Sequence, residues 1–311
     1  MEVLIKINDM KKYITLFFAI LLAGLTFTSC TKDGDDITPA SVGGFDANGA
    51  SNALFSVSPT TQVHFSKGNL QYQASTGTWR FAEHQYDFIG VNNKFISPTN
   101  AGWIDLFGWG TSGWNSGAGN YQPYSISQES QTYCPGGSAS NDLTGACAEA
   151  DWAWHNVISN GGGTAHTWRT LSDAEWDYLL TGRPNATDKC GYAIVDTIHG
   201  FVILPDIWTL PSGLSFIPGS NGTNIMDFSN CSTYTLAEWD AMEGAGAIFL
   251  PAGGFRINNY ILDNVNHSGY YWSTTAYDTV QAHYFVSRPS FHYTTNEGWR
   301  LFGFAVRPVK E

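Results

Sequence analysis

Apolar residues along the chain come in short runs that are separated by Gly, Pro and Asn. Runs of this length, rich in β-branched and aromatic residues, predict short strands and hairpins. The clearest of them are residues 54–57, 62–65, 79–81, 200–205, 247–251, 270–274, 282–286 and 302–306. The pattern therefore predicts a domain built mainly from β-strands.

Two short segments carry the signature of a helix N-terminus known as the capping box. Ser172 can accept a hydrogen bond from the amide three residues on, and Glu175 can reach back to the Ser172 amide. Thr235 and Glu238 repeat this arrangement sixty-three residues later. The sequence predicts a short helix at each place, and whether the two copies record an internal repeat or only common capping chemistry stays open.

Two helices among many strands predict an α+β fold with antiparallel strands. Strands and helices do not alternate regularly, and no glycine-rich phosphate loop follows a strand, so the pattern disfavours a doubly wound nucleotide-binding sheet. Residues 102–119 interleave Gly with Trp103, Trp109 and Trp114. This composition predicts a long loop that is held in place by buried rings.

Composition narrows the possible partners. The chain has 311 residues with 27 Asp and Glu against 15 Lys and Arg, a formal net charge of −12. A surface of this sign repels phosphate backbones, so nucleic acid is excluded as an expected partner. With 43% hydrophobic residues and 12 Trp, the chain can fill a substantial core.

The N-terminus has the pattern of an export signal. Lys11 and Lys12 precede an apolar run, and residues 1–29 end on small residues before Cys30. This arrangement resembles a bacterial lipoprotein signal, in which the Cys is lipidated and becomes the first mature residue. We expect a lipid anchor in the outer membrane that faces the cell exterior, then a flexible tether over 30–52. An ordinary cleaved signal with a chance Cys is the alternative.

Four more cysteines follow Cys30, at positions 134, 147, 190 and 231. Outside the cytoplasm they could form two disulfides in three pairings, of which we favour Cys134 with Cys147 and Cys190 with Cys231. No spacing is of the Cys-x-x-Cys type, and no His lies close by, so we expect no zinc site.

Three segments resemble the C-type-lectin-like fold: Trp168–Trp176, Tyr270–Thr275 and Gly303–Arg307. The branch in question contains formylglycine-generating enzymes (sulfatase-modifying factors), the Fibrobacter succinogenes paralogous domain and Bacteroides surface lipoproteins. The resemblance spans roughly 152–309 and implies one domain over 53–311, with a strand-rich part at 53–150 and a lectin-like core at 151–311. It also implies that the C-terminal strands and loops form the ligand face.

The segment Arg300–Arg307 is also similar to the tail of the variable region in targets of diversity-generating retroelements, which use this fold. The residues between Tyr277 and Phe302 are a mixture of Tyr, His, Ser, Thr, Arg and Phe, similar in kind to an antibody paratope. An ordinary, unvaried pair of strands is the alternative. Sequence alone leaves the choice open.

The sequence favours a binding protein over an enzyme. The oxidase chemistry of the related enzymes needs a pair of Cys in the C-terminal third, and none follows Cys231. No His has another His four residues away, so a related iron site is not supported either. We expect a non-catalytic adhesin or receptor-like module; the alternatives are a structural or pilus-associated subunit and an oxidase relative with lost or changed activity.

The expected ligand face lies in the terminal segment, where aromatic residues are mixed with polar ones. Its predicted residues are Tyr277, Asp278, Thr279, Gln281, His283, Tyr284, Arg288, Phe291, His292, Tyr293, Trp299, Leu301 and Phe302. The expected partner is an extracellular protein or glycan, and no cofactor is expected. Calcium could be held only by Asp263, Asn264, Asn266 and Asp278, which lack a fixed loop spacing. Trp103, Trp109, Trp114, Trp152 and Trp154 are expected to pin loops rather than to form a carbohydrate platform.

Overall fold

The computed structural model describes residues 43–115, 121–125, 134–257 and 261–311. The signal segment 1–29, Cys30 and the tether up to residue 42 lie outside these ranges. All described residues belong to one compact unit, Ser41–Glu311. In the part of the chain so described, no helix has the length and apolar character needed to cross a bilayer.

The fold is α+β, as the sequence predicts, with many short strands and few helices. The strands are β1 (Phe55–Ser56), β2 (Gln62–Phe65), β3 (Leu70–Gln73), β4 (Thr78–Phe81), β5 (Trp103–Ile104), β6 (Cys190–Val195), β7 (Ile198–Ile203), β8 (Ser232–Tyr234), β9 (Ile248–Pro251), β10 (Phe255–Ile257), β11 (Ile261–Asp263), β12 (Gly269–Ala276), β13 (Gln281–Arg288), β14 (Phe291–Trp299) and β15 (Val309–Lys310). The helices are α1 (Trp152–His155), α2 (Asp173–Asp177) and α3 (Leu236–Gly244).

Within the described ranges the strands form five small sheets. Their orders are β1-β2-β15, β4-β3-β5, β8-β6-β7-β9, β10-β11 and β12-β13-β14. The pairs are antiparallel except for the parallel pair of β6 with β8. The run 302–306, expected to be a strand, makes only single bridges, such as Phe304 with Phe107 and Ala305 with Tyr271. It passes between other elements instead of extending one sheet.

Both predicted capping boxes are present. At α2 the Ser172 hydroxyl accepts from the Glu175 amide at 3.2 Å, and the Glu175 carboxylate accepts from the Ser172 amide at 2.8 Å. At α3 Thr235 and Glu238 make the same two bonds at 3.3 and 2.7 Å. Each box satisfies two amides that have no partner within the helix, which explains why such short segments become helical.

In the described part of the chain, three clusters of buried apolar side chains form the core. The first joins the sheets β4-β3-β5 and β12-β13-β14 and contains Trp109 and Trp152. The second surrounds Trp176 of α2, and the third surrounds Trp239 of α3. The expectation that Trp109 pins its loop is confirmed, since its ring is buried and its indole N–H donates to the Ser273 carbonyl at 2.9 Å.

The fold begins earlier than expected. Residues 43–52 were assigned to the tether, but the Gly44 amide donates to the Glu243 carbonyl at 3.0 Å and the side chain of Ala50 is buried. The Asp46 carboxylate accepts from the amides of Asn48 and Ala50, both at 2.8 Å, and so closes a tight turn. The tether assignment is therefore wrong for this part of the chain.

The four cysteines among the described residues are free thiols, so the expected disulfides are not formed. Beside Cys190, strand β6 is bonded to the backbone of Gly219, whose amide donates to the Cys190 carbonyl at 2.8 Å. On the other side of the strand pairing, the parallel register joins Ala193 to Ser232, which sets Cys231 out of step with Cys190. Burial raises the pKa of the Cys190 thiol to about 11, so the thiol is protonated and unreactive at neutral pH.

Candidate functional site

The sheet β12-β13-β14 carries most of the predicted ligand face, and much of it faces inward. On one side Phe285 stacks on Trp176 with ring centroids 5.1 Å apart. On the other side Tyr284 packs on Phe304 at 4.6 Å. The site prediction for Tyr284 is wrong for this reason. The prediction for Leu301 is also wrong, because its side chain is buried just beyond the end of β14.

The remaining predicted residues lie at opposite ends of this sheet. Near the turn between β12 and β13 lie Tyr277, Asp278, Thr279, Gln281, His283 and Trp299. Trp299 belongs to this group because it pairs with Gln281 on the neighbouring strand. Near the turn between β13 and β14 lie Arg288, Phe291, His292 and Tyr293. Phe302 follows β14, is half-buried and stacks on Trp299 with ring centroids 5.7 Å apart. The exposed fractions of Tyr277, Tyr293 and Trp299 are 52%, 54% and 47%. Since Tyr293 and Trp299 are six residues apart on β14, about 20 Å separates these two exposed residues.

The first group forms the surface that we call the Tyr277 patch, made of Tyr277, Thr279, Gln281, His283 and Trp299. Hydrogen bonds hold the turn between β12 and β13 in this patch. The Asp278 carboxylate accepts from the amides of Val280 and Gln281 at 2.8 and 2.7 Å. The buried guanidinium of Arg300 donates to the carbonyls of Asp278 and Ala139. The exposed rings are therefore presented by a fixed turn.

A cavity of about 590 Å³ opens beside this patch, at the N-terminus of α2. We call it the α2 pocket; its wall includes Leu143, Glu149, Trp154, Arg169, Ser172 and Thr274. Its volume lies within the range typical of ligand sites. Distant segments meet here through main-chain bonds: the Leu143 amide donates to the Thr274 carbonyl at 2.8 Å, and the Thr274 amide to the Leu171 carbonyl at 2.9 Å.

Asp151 lies at the base of the pocket and has a structural task. Its buried carboxylate accepts from the Thr170 amide and hydroxyl at 2.8 and 2.7 Å and from the Ala153 amide at 3.1 Å, which caps α1. Burial raises the pKa of Asp151 to about 6, against the lowering effect of these hydrogen bonds. The group joins α1 to the segment that leads into α2.

Glu149 and Trp154 stand on the open side of the pocket. One Glu149 carboxylate oxygen lies 2.6 Å from His155 Nδ1, and the other lies 3.0 Å from His166 Nε2. The hydrogen bond with His155 is the main cause that lowers the pKa of Glu149. The His166 ring lies against Trp154, with centroids 5.0 Å apart. These side chains hold one another in place.

The pocket and the Tyr277 patch are contiguous through the first turn of α2. The Asp173 amide donates to the Thr275 hydroxyl at 3.1 Å, and the Asp173 carboxylate lies 4.0 Å from His283 Nε2. The His283 ring in turn makes an edge contact with Tyr277 at 5.2 Å. Pocket wall, helix cap and exposed ring thus follow one another without interruption.

The candidate calcium ligands are not brought together. Asp278 belongs to the turn after β12, whereas Asp263, Asn264 and Asn266 precede the other end of that eight-residue strand. The side-chain oxygen of Asn266 already accepts from the His199 amide at 2.8 Å. Across the described ranges, no three His, Cys, Asp or Glu residues are grouped as a metal site would need.

Sequence reasoning missed the α2 pocket. Trp154 was expected to pin a loop; it is half-buried and forms part of the pocket wall. The signal that could have found it is the grouping of Glu149, Asp151 and Trp154 within six residues, followed by Arg169 just before a capping box. A smaller cavity of about 350 Å³ lies elsewhere, beside Tyr86, and is not lined by any predicted site residue.

No family model, no curated protein and no solved structure matches this chain.

Proposed function

We propose that this chain is a non-catalytic ligand-binding module that recognises an extracellular protein or glycan, displayed on the outer membrane by a lipid on Cys30. The observation that carries the proposal is the continuity of the α2 pocket with the Tyr277 patch. A concave site with a few placed polar groups, bordered by exposed rings, is the arrangement that recognition surfaces use.

The rigidity of the surface supports binding. The Tyr277 turn is held by Asp278 and by the buried Arg300, whose guanidinium also lies over the Trp109 ring at 4.4 Å. A surface that is already ordered loses little conformational entropy when a partner docks. Exposed Tyr and Trp on such a frame are efficient anchors, because each ring buries a large area at a small entropic cost.

The proposal also fits the resemblance to C-type-lectin-like surface lipoproteins, in which the C-terminal strands form the ligand face. We propose the same fold type for this chain. Sequence diversification of the segment 277–302 is a further part of the proposal, and a near-identical template copy of its coding sequence beside a reverse transcriptase gene would support it. A uniform segment across isolates would contradict that part alone.

Binding is tested on an array of extracellular proteins and glycans probed with the purified chain carrying Cys30→Ser. The double variant Tyr277→Ala with His283→Ala should bind the selected partner at least about tenfold more weakly, as expected for a hot-spot ring. The matched control is Tyr293→Ala, which removes an equally exposed Tyr from the far end of the sheet and should change affinity less than about twofold. Equal loss in both variants, or no bound partner, would contradict the proposal.

Display is tested on intact cells. Cys30→Ser should abolish incorporation of an alkyne-labelled fatty acid, and external protease should cleave the wild-type protein without lysis. Protein that carries no lipid or resists the protease would contradict the anchor or the orientation, respectively.

A further inference from the structure

We propose that the α2 pocket binds a primary amine on an apolar stem, namely a lysine side chain of a protein partner, with the ammonium group on Glu149. This inference rests on the proposed function and deepens it, because it names the chemistry of the bound group. Nothing in the C-terminal segment is needed for it, so it stands on a different set of residues.

The charges of the pocket wall favour a cation. Among the residues that line the pocket, Arg169 is the one basic residue. It is already paired, because its guanidinium donates to both oxygens of Glu175 at 2.8 and 2.7 Å. Asp151 is buried and occupied by its own hydrogen bonds. Glu149 is left as the wall carboxylate whose partners among the described residues are only imidazoles. An anion would face excess negative charge here, whereas a cation is attracted by it and by the net charge of −12.

Glu149 is accessible and held in a fixed orientation. Its side chain is 48% exposed, and each oxygen contacts one imidazole, which leaves further lone pairs for a ligand. His166 reaches it from a left-handed backbone conformation with φ of 61°. A non-glycine residue is strained in this conformation, and strain of this kind clusters at functional sites.

The rest of the wall suits the stem of a lysine. Leu143 and Ala148 are apolar, and Trp154 presents part of an aromatic ring beside Glu149. A methylene chain packs on such a wall, and an ammonium group gains from a nearby indole. A volume of 590 Å³ corresponds to a cube with an edge of ~8 Å, which is narrower than the ~10 Å diameter of a helix. The pocket therefore has room for a lysine side chain.

The test is a calorimetric titration of the purified chain with Nα-acetyl-lysine methylamide. Its matched neutral analogue carries an acetyl group on Nε as well. The amine should bind saturably, and the neutral analogue should bind at least about tenfold more weakly, because the charge interaction is lost. Equal affinity of the two compounds, or no saturable binding of the amine, would overturn the proposal.

Variants assign the binding to the pocket. Glu149→Gln keeps the shape of the side chain and should weaken amine binding about tenfold, while Trp154→Ala should weaken it severalfold. The control Glu83→Gln removes an exposed carboxylate paired with Lys67 elsewhere and should leave affinity within about twofold. Unchanged affinity of Glu149→Gln for the amine would overturn the proposal. The melting temperature of this variant shows whether it is folded. If it is not, the affinity of Trp154→Ala for the amine tests the same pocket.

The two proposals can fail separately. In one outcome the amine does not bind, or neutral saccharides bind in its place, while the double variant Tyr277→Ala with His283→Ala still loses the partner selected on the array. The proposed function then stands, and the lysine site is wrong. If neither the amine nor any partner binds, both are wrong.

Discussion

The helices α2 and α3 begin with nearly the same sequence but have different roles in the structure. Each has a complete capping box, and each buries one Trp. At α3 the cap lies on the exposed surface, and Trp239 packs on Phe249 with centroids 5.3 Å apart. At α2 the cap lines a pocket, and Trp176 stacks under the sheet that carries the Tyr277 patch.

The difference lies in the additional partners of α2. Glu175 not only caps its helix but also binds Arg169, which in turn binds Glu311 near the C-terminus at 3.0 Å. Glu238 bonds Thr235 within its own cap. Identical local chemistry therefore fixes a helix in both places, while the tertiary contacts decide that only α2 belongs to the candidate site.

The largest expected effects come from removing the two buried indoles. Trp176→Ala and Trp239→Ala should each lower the free energy of unfolding by about 3–5 kcal/mol, because each leaves a cavity in a packed cluster. Urea denaturation measures this loss. Under conditions where both variants stay folded, only Trp176→Ala should weaken partner binding, because only this variant removes the ring that packs against Phe285 of β13. Equal weakening by Trp239→Ala would contradict the distinction between the two helices.

A rise in pH should change the free energy of unfolding in opposite directions through one carboxyl group near each helix, Asp151 near α2 and Glu238 in α3. The pKa of Asp151 is about 6 in the folded chain against 3.8 as its ordinary value, so the folded chain binds more protons between these limits. Its contribution to the free energy of unfolding therefore falls by about 2–3 kcal/mol as pH rises from about 4 to about 6. The cap bonds from Thr235 lower the pKa of Glu238, so that contribution falls instead as pH decreases.

Asp151→Asn isolates the first of these effects. Asp105, also buried with its pKa raised to about 6, remains in the variant and shifts stability in the same direction. Denaturation curves from pH 4 to 7 should therefore show a smaller loss of stability with rising pH in the variant than in the wild type. Parallel profiles would show that Asp151 does not titrate in this range.

The smallest effects concern the caps themselves. Ser172→Ala and Thr235→Ala should each cost about 1 kcal/mol, the usual value for the loss of a capping hydroxyl. Thermal denaturation compares them. Ser172→Ala should also weaken amine binding, because Ser172 is a residue of the pocket wall, and Thr235→Ala should not. Loss of amine binding in both variants would point to a general loosening of the fold.

The comparison also explains what the sequence could predict. Capping boxes and short apolar runs are local patterns, so the sequence predicts both capping-box helices, and seven of its eight predicted strand runs are strands in the structure. It does not predict several others, among them β3, β6 and β14. The α2 pocket brings together Leu143, Arg169 and Thr274. Leu143 and Thr274 are more than a hundred residues apart in the sequence, and no local pattern predicts that they lie close together. Tyr284 was placed outside because strand alternation alone does not tell which side of a sheet the protein covers; here both sides of β13 are packed.

The most direct test of the central claim is hydrogen exchange of the chain with and without the partner selected on the array. Two segments should become protected when the partner binds: residues 143–149 of the α2 pocket and residues 275–283 of the Tyr277 patch. Residues 91–95, which carry the exposed Phe95 elsewhere on the surface, should exchange equally fast in both samples. Protection confined to residues 91–95, or absent from both segments, would contradict the account.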